Sequence, residues 1–203
     1  MDKIICVGKN YLKHALELGD AVPDSPTYFF KPPSVIHVVT KGSKIVDLPA
    51  RGEAHHEIEL VFRIQNENGK LRLSHYTLGL DLTLRSLQAD LKKAGQPWEK
   101  AKVFKNSCIL GDWRECTSLD EVLDMPFQLS VNGKLRQKAM GLDMRWKPDD
   151  VLEDLPKWFE VCDGDLLFTG TPEGVGPLLK GDTVEVVGGN IEYSFKCGIE
   201  GHA

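Results

Sequence analysis

The stretch "AHHEIELVF", residues 54–62, sets two glutamates two positions apart inside an apolar run. Strand side chains alternate between faces, so Glu57 and Glu59 share one face while Ile58 and Leu60 take the other. Like charges at this spacing repel, and they are tolerated either in open water or around a cation. The run therefore reads as a strand with one face in a core, its acidic face being either solvated or metal-binding.

Working outward toward the N-terminus, "KIICVG" (3–8) reads as a short strand. "KNYLKHALELGD" (9–20) then reads as a helix of about two turns, with Asn10 as N-cap, Leu12, Ala15 and Leu16 on one stripe, and Gly19 as stop. Residues 21–36, "AVPDSPTYFFKPPSVI", are proline-rich and read as loops around an aromatic strand at 28–30. Toward the C-terminus, strands are expected at 44–46, 57–63, 78–82, 127–131, 166–169, 183–187 and 191–195. Turns are expected at "QNENGK" (65–70), "NGK" (132–134) and "GGN" (188–190). Helices are expected at 84–94, ended by Gly95 and Pro97, and at 149–159. The pattern is α+β and β-rich, with no repeat or linker, so residues 1–203 are read as one domain.

Composition narrows the functional classes. With 41% apolar and 27% charged residues the chain is of ordinary globular type, and no apolar run approaches a membrane span of ~20 residues. A formal net charge of -5 argues against nucleic acid as a partner. Cys6, Cys108, Cys116, Cys162 and Cys197 are scattered, with no C-x-x-C pair, which fits a reducing compartment. The first residues carry neither a secretory nor an Arg/Ser-rich signal, so a cytoplasmic location is expected.

Asp81, ending the apolar run of "LGLDL" (78–82), joins Glu57 and Glu59 as a third carboxylate. An all-oxygen set selects a hard cation, Mg²⁺, Mn²⁺ or Ca²⁺. His55 and His56 do not form H-E-x-x-H and read as surface residues or supports of the ligands. His14 and Glu17 stand three apart on the first helix, a spacing that allows a carboxylate to orient an imidazole base, and that an exposed surface pair also satisfies. "TGTPEGVGP" (169–177) reads as a loop whose N–H groups can face an anion, or as a plain turn. Lysines 92, 93, 100, 102 and 105 form a local cluster expected to be mostly solvated.

Taken in order, "CVGKNYLKHALEL" (6–18), "FFKPPS" (29–34), "HHEIEL" (55–60), "LGLDLTLRSLQ" (78–88), "GQPWEKAKVFKNSC" (95–108), "VNGKLRQ" (131–137) and "GDLLFTGTPEGVGP" (164–177) resemble the fumarylacetoacetate hydrolase family. The resemblance is to its compact branch of acylpyruvate hydrolases and oxaloacetate decarboxylases. It implies a mixed β-sandwich roll with few short helices, a homodimer, and a Mg²⁺ or Mn²⁺ site at Glu57, Glu59 and Asp81. It also implies a His14–Glu17 dyad, a catalytic Lys102, and substrate contacts from Arg85, Gln88, Gly170 and Thr171.

The implied substrate is a small keto acid. The activity expected first is C–C hydrolysis of an acylpyruvate, with His14 taking a proton from the attacking water and Lys102 stabilising negative charge. Oxaloacetate decarboxylation, keto–enol or hydroxymuconate-type isomerisation, and non-catalytic keto-acid binding are the alternatives. Two departures stand out: Ser86 follows Arg85 where relatives commonly carry aspartate, and residues 143–165 differ from the usual pattern.

Overall fold

The computed structural model of the chain describes residues 1–17, 19, 23–39 and 45–201. Its first half contains β1 (Ile4–Gly8), α1 (Leu12–Glu17), β2 (Thr27–Lys31), β3 (Ile36–Val38), β4 (Ile45–Leu48), β5 (Ala54–His56), β6 (Ile58–Glu67), β7 (Lys70–Asp81) and β8 (Thr83–Leu84). There follow α2 (Arg85–Lys93), α3 (Glu99–Lys102), β9 (Cys108–Leu110), β10 (Arg114–Glu115), α4 (Leu119–Asp124), β11 (Phe127–Val131) and β12 (Lys134–Ala139). The chain ends with α5 (Pro148–Asp154), β13 (Leu166–Phe168), β14 (Gly176–Pro177), β15 (Thr183–Gly188) and β16 (Ile191–Ile199). The architecture is α+β and strand-rich, with short helices, as the sequence implied.

The β6–β7 hairpin is the spine of a mixed sheet ordered β2-β1-β13-β6-β7-β9-β3, with β10 added to β7. A second sheet, β12-β11-β15-β16-β4, packs on one of its faces. That interface takes Ile5 and Val7 of β1, Ile58, Leu60, Phe62 and Ile64 of β6, and Leu78 and Leu80 of β7 against Leu129, Val184, Val186 and Phe195. Every second residue of each strand thus enters this core, at roughly 1.5–3 kcal/mol for each large side chain fully buried. The alternate residues Ile4, Cys6, Val61 and Phe168 build a smaller apolar cluster on the opposite face. Glu59 and Asp81 lie on that opposite face by the same alternation, at the end of the hairpin.

Local sequence explains the connections. Asn68 and Gly69, then Asn132 and Gly133, take positive φ at consecutive positions, the two-residue turn that suits the twist of a hairpin. Gly79 sits across from Glu59, and a Cβ there would lie 2.9 Å from the Ile109 carbonyl oxygen, so only glycine allows β6, β7 and β9 to approach this closely.

Several expectations are corrected. The strand expected over 44–46 extends to Leu48, its described part being Ile45–Leu48, while Lys44 lies outside the described residues. Glu57 falls in the break between β5 and β6 rather than inside a strand. Asn10 does not cap α1; its amide donates to the Trp146 carbonyl at 2.9 Å and the Thr169 carbonyl at 2.7 Å, and its oxygen accepts from Trp146 N–H at 2.8 Å. Leu12 and Leu16 are exposed, because α1 turns His14 and Ala15 inward instead. The helix expected over 149–159 is shorter, since Pro156 passes it into a single tight turn at Leu155–Lys157.

Candidate metal centre and active site

Glu57, Glu59 and Asp81 are 4%, 3% and 1% exposed, which rules out a solvated acidic face. One oxygen from each lies within 4.8 Å of the others, a spread that a cation with oxygen bonds of ~2.0–2.6 Å can bridge. The hairpin creates this convergence: Asp81 N–H donates to the Glu57 carbonyl at 3.0 Å, fixing the end of β7 against the entrance to β6. Burial, with Asp81 and Glu57 alongside, pushes the Glu59 carboxyl well above the ordinary carboxylate range. A divalent cation relieves that repulsion, so the donor set fits Mg²⁺, Mn²⁺ or another hard ion.

Three cations surround the carboxylates. Lys102 Nζ lies 2.8 Å from Glu57 Oε2, 2.5 Å from Asp81 Oδ2 and 2.7 Å from Thr83 Oγ1. Burial works against the Lys102 charge, but Asp81 and Glu57 outweigh it and raise its pKa. Lys31, 1% exposed, reaches Asp81 Oδ1 at 2.5 Å and donates to the Ser107 carbonyl at 2.6 Å. Arg85 Nη2 donates to Glu57 Oε1, and Arg85 Nη1 to Gln88 Oε1 at 2.8 Å. Gln88 therefore orients Arg85, and Ser86, the departure noted in the sequence, is exposed beside them.

His14 is 5% exposed and lines the same pocket as the carboxylates, Arg85, Gln88, Lys102 and Thr171. Its Nδ1 is 3.3 Å from Glu17 Oε2. A carboxylate can only accept, so neutral His14 carries its proton on Nδ1 and keeps the Nε2 lone pair for chemistry. Burial lowers the His14 pKa below 6.5, outweighing the opposing pull of Glu57 and Glu17. Glu17 is held in turn by Gly174 N–H, 3.1 Å from Oε1 and 3.2 Å from Oε2.

The Gly-Thr-Pro loop closes the site. Gly170 N–H donates to Glu59 Oε2 at 2.7 Å, and Thr171 Oγ1 donates to the Ile58 carbonyl at 2.8 Å. Gly170 takes φ +95°, and a Cβ there would lie 3.0 Å from the Val7 carbonyl oxygen. The fold thus brings His14, Lys102, Arg85, Gln88, Glu57, Glu59, Asp81 and Thr171 around one pocket, with Gly170 touching it from behind Glu59. Sequence reading missed Lys31, Thr83 and the pocket walls Phe29 and Trp98, and left Lys92 among the solvated lysines although it lines the pocket. Lys31 stands within the quoted "FFKPPS", but a lysine at a strand end reads as solvated until its partner across the sheet is known.

Fold and site together define a class, an enzyme with a buried carboxylate centre able to hold a divalent cation beside an oriented histidine. Residues 3–193 match the family described as fumarylacetoacetate (FAA) hydrolase C-terminal, and the chain belongs to that family. It is 40% identical over 195 residues to oxaloacetate tautomerase YcgM of Escherichia coli (strain K12), across 92% of this chain and 88% of that protein. It is 30% identical over 207 residues to the mitochondrial oxaloacetate decarboxylase of Dictyostelium discoideum, across 98% and 89%. The crystal structure of fumarylpyruvate hydrolase from Pseudomonas aeruginosa in complex with Mn²⁺ and pyruvate is similar at TM-score 0.89 and 31% identity, covering 98% of this chain and 90% of that one. No helix among the described residues is long and apolar enough to cross a membrane.

Proposed function

We propose that this chain acts on short 2-oxo acids with a divalent cation held by Glu57, Glu59 and Asp81, and that its reaction is keto–enol tautomerisation of oxaloacetate. The observation that carries this reading is a single oriented base, His14 held by Glu17 at 3.3 Å, lining the pocket that contains the carboxylates. Proton transfer between C3 and the 2-oxo oxygen needs one such base and an electrophilic environment for the oxygen. When bound, the cation supplies Lewis acidity toward the 2-oxo and adjacent carboxylate oxygens.

The chain's own groups do the rest. His14 Nε2 takes the C3 proton, Glu17 stabilises the imidazolium that forms, and that proton is returned to the 2-oxo oxygen, so the enol forms and His14 is neutral again. Negative charge grows on the 2-oxo oxygen, where the Lys102 ammonium offsets it. Arg85, held by Gln88, faces the substrate carboxylate, and the 170–172 loop closes the opposite wall. The identity to an oxaloacetate tautomerase supports this order of preference.

A second reading, the acylpyruvate hydrolysis expected first from the motifs, is favoured by the similarity to fumarylpyruvate hydrolase. There His14 would take its proton from water instead of carbon. Decarboxylation of oxaloacetate would draw on the same Lewis acidity and needs no base. The test strips the protein with EDTA, restores Mg²⁺ or Mn²⁺, and follows the enol absorbance of oxaloacetate with NMR identification of products. Metal-dependent loss of enol without pyruvate release is the expected result. Pyruvate and acetate released from acetylpyruvate would replace it with the hydrolase reading, and pyruvate from oxaloacetate with the decarboxylase one.

A further inference from the structure

The motif "VNGKLRQ" ends in Gln137, a residue that none of the chemistry above uses. It lies on β12, in the second sheet, yet is only 1% exposed and points between the strands that carry the site. Its side-chain oxygen accepts from Ile58 N–H at 3.1 Å and lies 2.8 Å from His56 Nδ1. Its nitrogen donates to Thr171 Oγ1 at 2.9 Å and to the Pro172 carbonyl at 2.9 Å.

The partners fix the amide's orientation without ambiguity. Ile58 N–H can only donate and the Pro172 carbonyl can only accept, so oxygen and nitrogen are not interchangeable. His56 Nδ1 must then carry a proton, and Thr171 Oγ1, accepting from Gln137, is free to donate to the Ile58 carbonyl at 2.8 Å. Both residues flanking Glu57 are held by the oxygen side. The two residues of the substrate loop are held by the nitrogen side.

We propose that Gln137 is a positioning residue that sets the metal ligand Glu57 and the Thr171–Pro172 loop at a fixed separation, so that ligand and loop meet one substrate. This rests on the proposed function, since it takes Glu57 as a metal ligand and the loop as a substrate wall. The loop's packing agrees: a Cβ on Gly174 would lie 2.1 Å from the Arg136 carbonyl oxygen, so the loop is seated directly on β12. The Glu59 carboxylate is tied to the loop directly through Gly170 N–H, and the residues on either side of Glu57 are tied to it through Gln137. Supporting residues of this kind typically alter metal affinity or activity by ~10–100-fold when replaced.

The test separates the two sides of the amide. Mn²⁺ affinity is read from the free-ion EPR signal, and pyruvate affinity by calorimetric titration of Mn²⁺-saturated protein. Gln137→Glu keeps an acceptor for Ile58 N–H and removes the donors to Thr171 and Pro172. It is expected to hold Mn²⁺ within about threefold of wild type while weakening pyruvate by about tenfold. Gln137→Met removes both sides and is expected to weaken Mn²⁺ and pyruvate by about tenfold each. In the Thr171→Val background, Gln137→Glu should add less than about threefold to the loss of pyruvate, since the two act in one chain of contacts.

Unchanged affinities with only a lower Tm would reduce Gln137 to a structural residue and overturn the proposal. Equal losses of both ligands in Gln137→Glu would overturn the division of roles, and additive losses would remove Thr171 as its target. If Gln137→Met does not fold, Gln137→Glu decides the matter alone. A wild type that binds neither Mn²⁺ nor pyruvate would instead bring down the proposed function, and with it this inference.

Discussion

At the scale of the residue, the imidazole and its carboxylate make the sharpest prediction. Glu17 acts against burial to raise the His14 pKa, so Glu17→Gln lowers it further. The limb on which kcat/KM falls as pH drops should therefore move to lower pH in this variant, while kcat above neutrality falls by about 10²-fold for loss of an oriented base. A pH–rate profile checks both; an unmoved limb with unchanged turnover would remove the dyad from the reaction. The residues of this site were legible where a motif or a charge anomaly marked them, as with Glu57, Glu59, Asp81, His14 and Glu17. Lys31 and Gln137 were not, because a buried amine or amide is explained only by partners far away in the chain.

At the scale of the element, the parallel pairing of β1 with β13 begins at a buried carboxylate that ties together the residues just before the two strands. Asp165, 0% exposed, accepts from Asp2 N–H at 2.8 Å, Lys3 N–H at 3.0 Å and Cys162 N–H at 2.9 Å, with Lys3 Nζ at 3.0 Å. Burial alone would raise its pKa, but these donors prevail and hold it below 3.8. Its stabilisation is therefore fully present above the ordinary aspartate pKa and is lost as pH falls through the lower folded value. Asp165→Ala should cost about 2 kcal/mol at pH 6, and the difference from wild type should shrink as the pH falls below 3.8 in denaturant titrations. Equal stability of both proteins at pH 6 would show that water replaces the carboxylate. The strands themselves were readable from alternation, whereas β5, β8, β9 and β14, two or three residues each, are too short for periodicity to mark.

At the scale of the whole molecule, the folded state brings three carboxylates together, and an unfolded chain does not. A cation bound there stabilises the folded form alone, by about 2.7 kcal/mol at a concentration one hundred times its Kd. For a chain of this size that is a rise in Tm of roughly 5–10 °C on adding Mn²⁺ or Mg²⁺ to EDTA-treated protein. Glu57→Ala with Glu59→Ala should abolish the shift. A wild-type Tm indifferent to metal in differential scanning calorimetry would sink the metal assignment.

The sequence by itself determined the alternation that builds the two sheets, the positive-φ turns at Asn68–Gly69 and Asn132–Gly133, and the chemistry available at Glu57, Glu59 and Asp81. These depend on side-chain identity and local spacing, which a chain carries whether folded or not. Tertiary structure alone decided that the acidic face is buried, that Lys31 and Lys102 neutralise it, that Asn10 stitches loops instead of capping a helix, and that Gln137 reaches across from the second sheet. Each of those facts is a pairing between distant segments, and the strand order within the first sheet, together with the packing of loops and of the second sheet upon it, sets which segments meet.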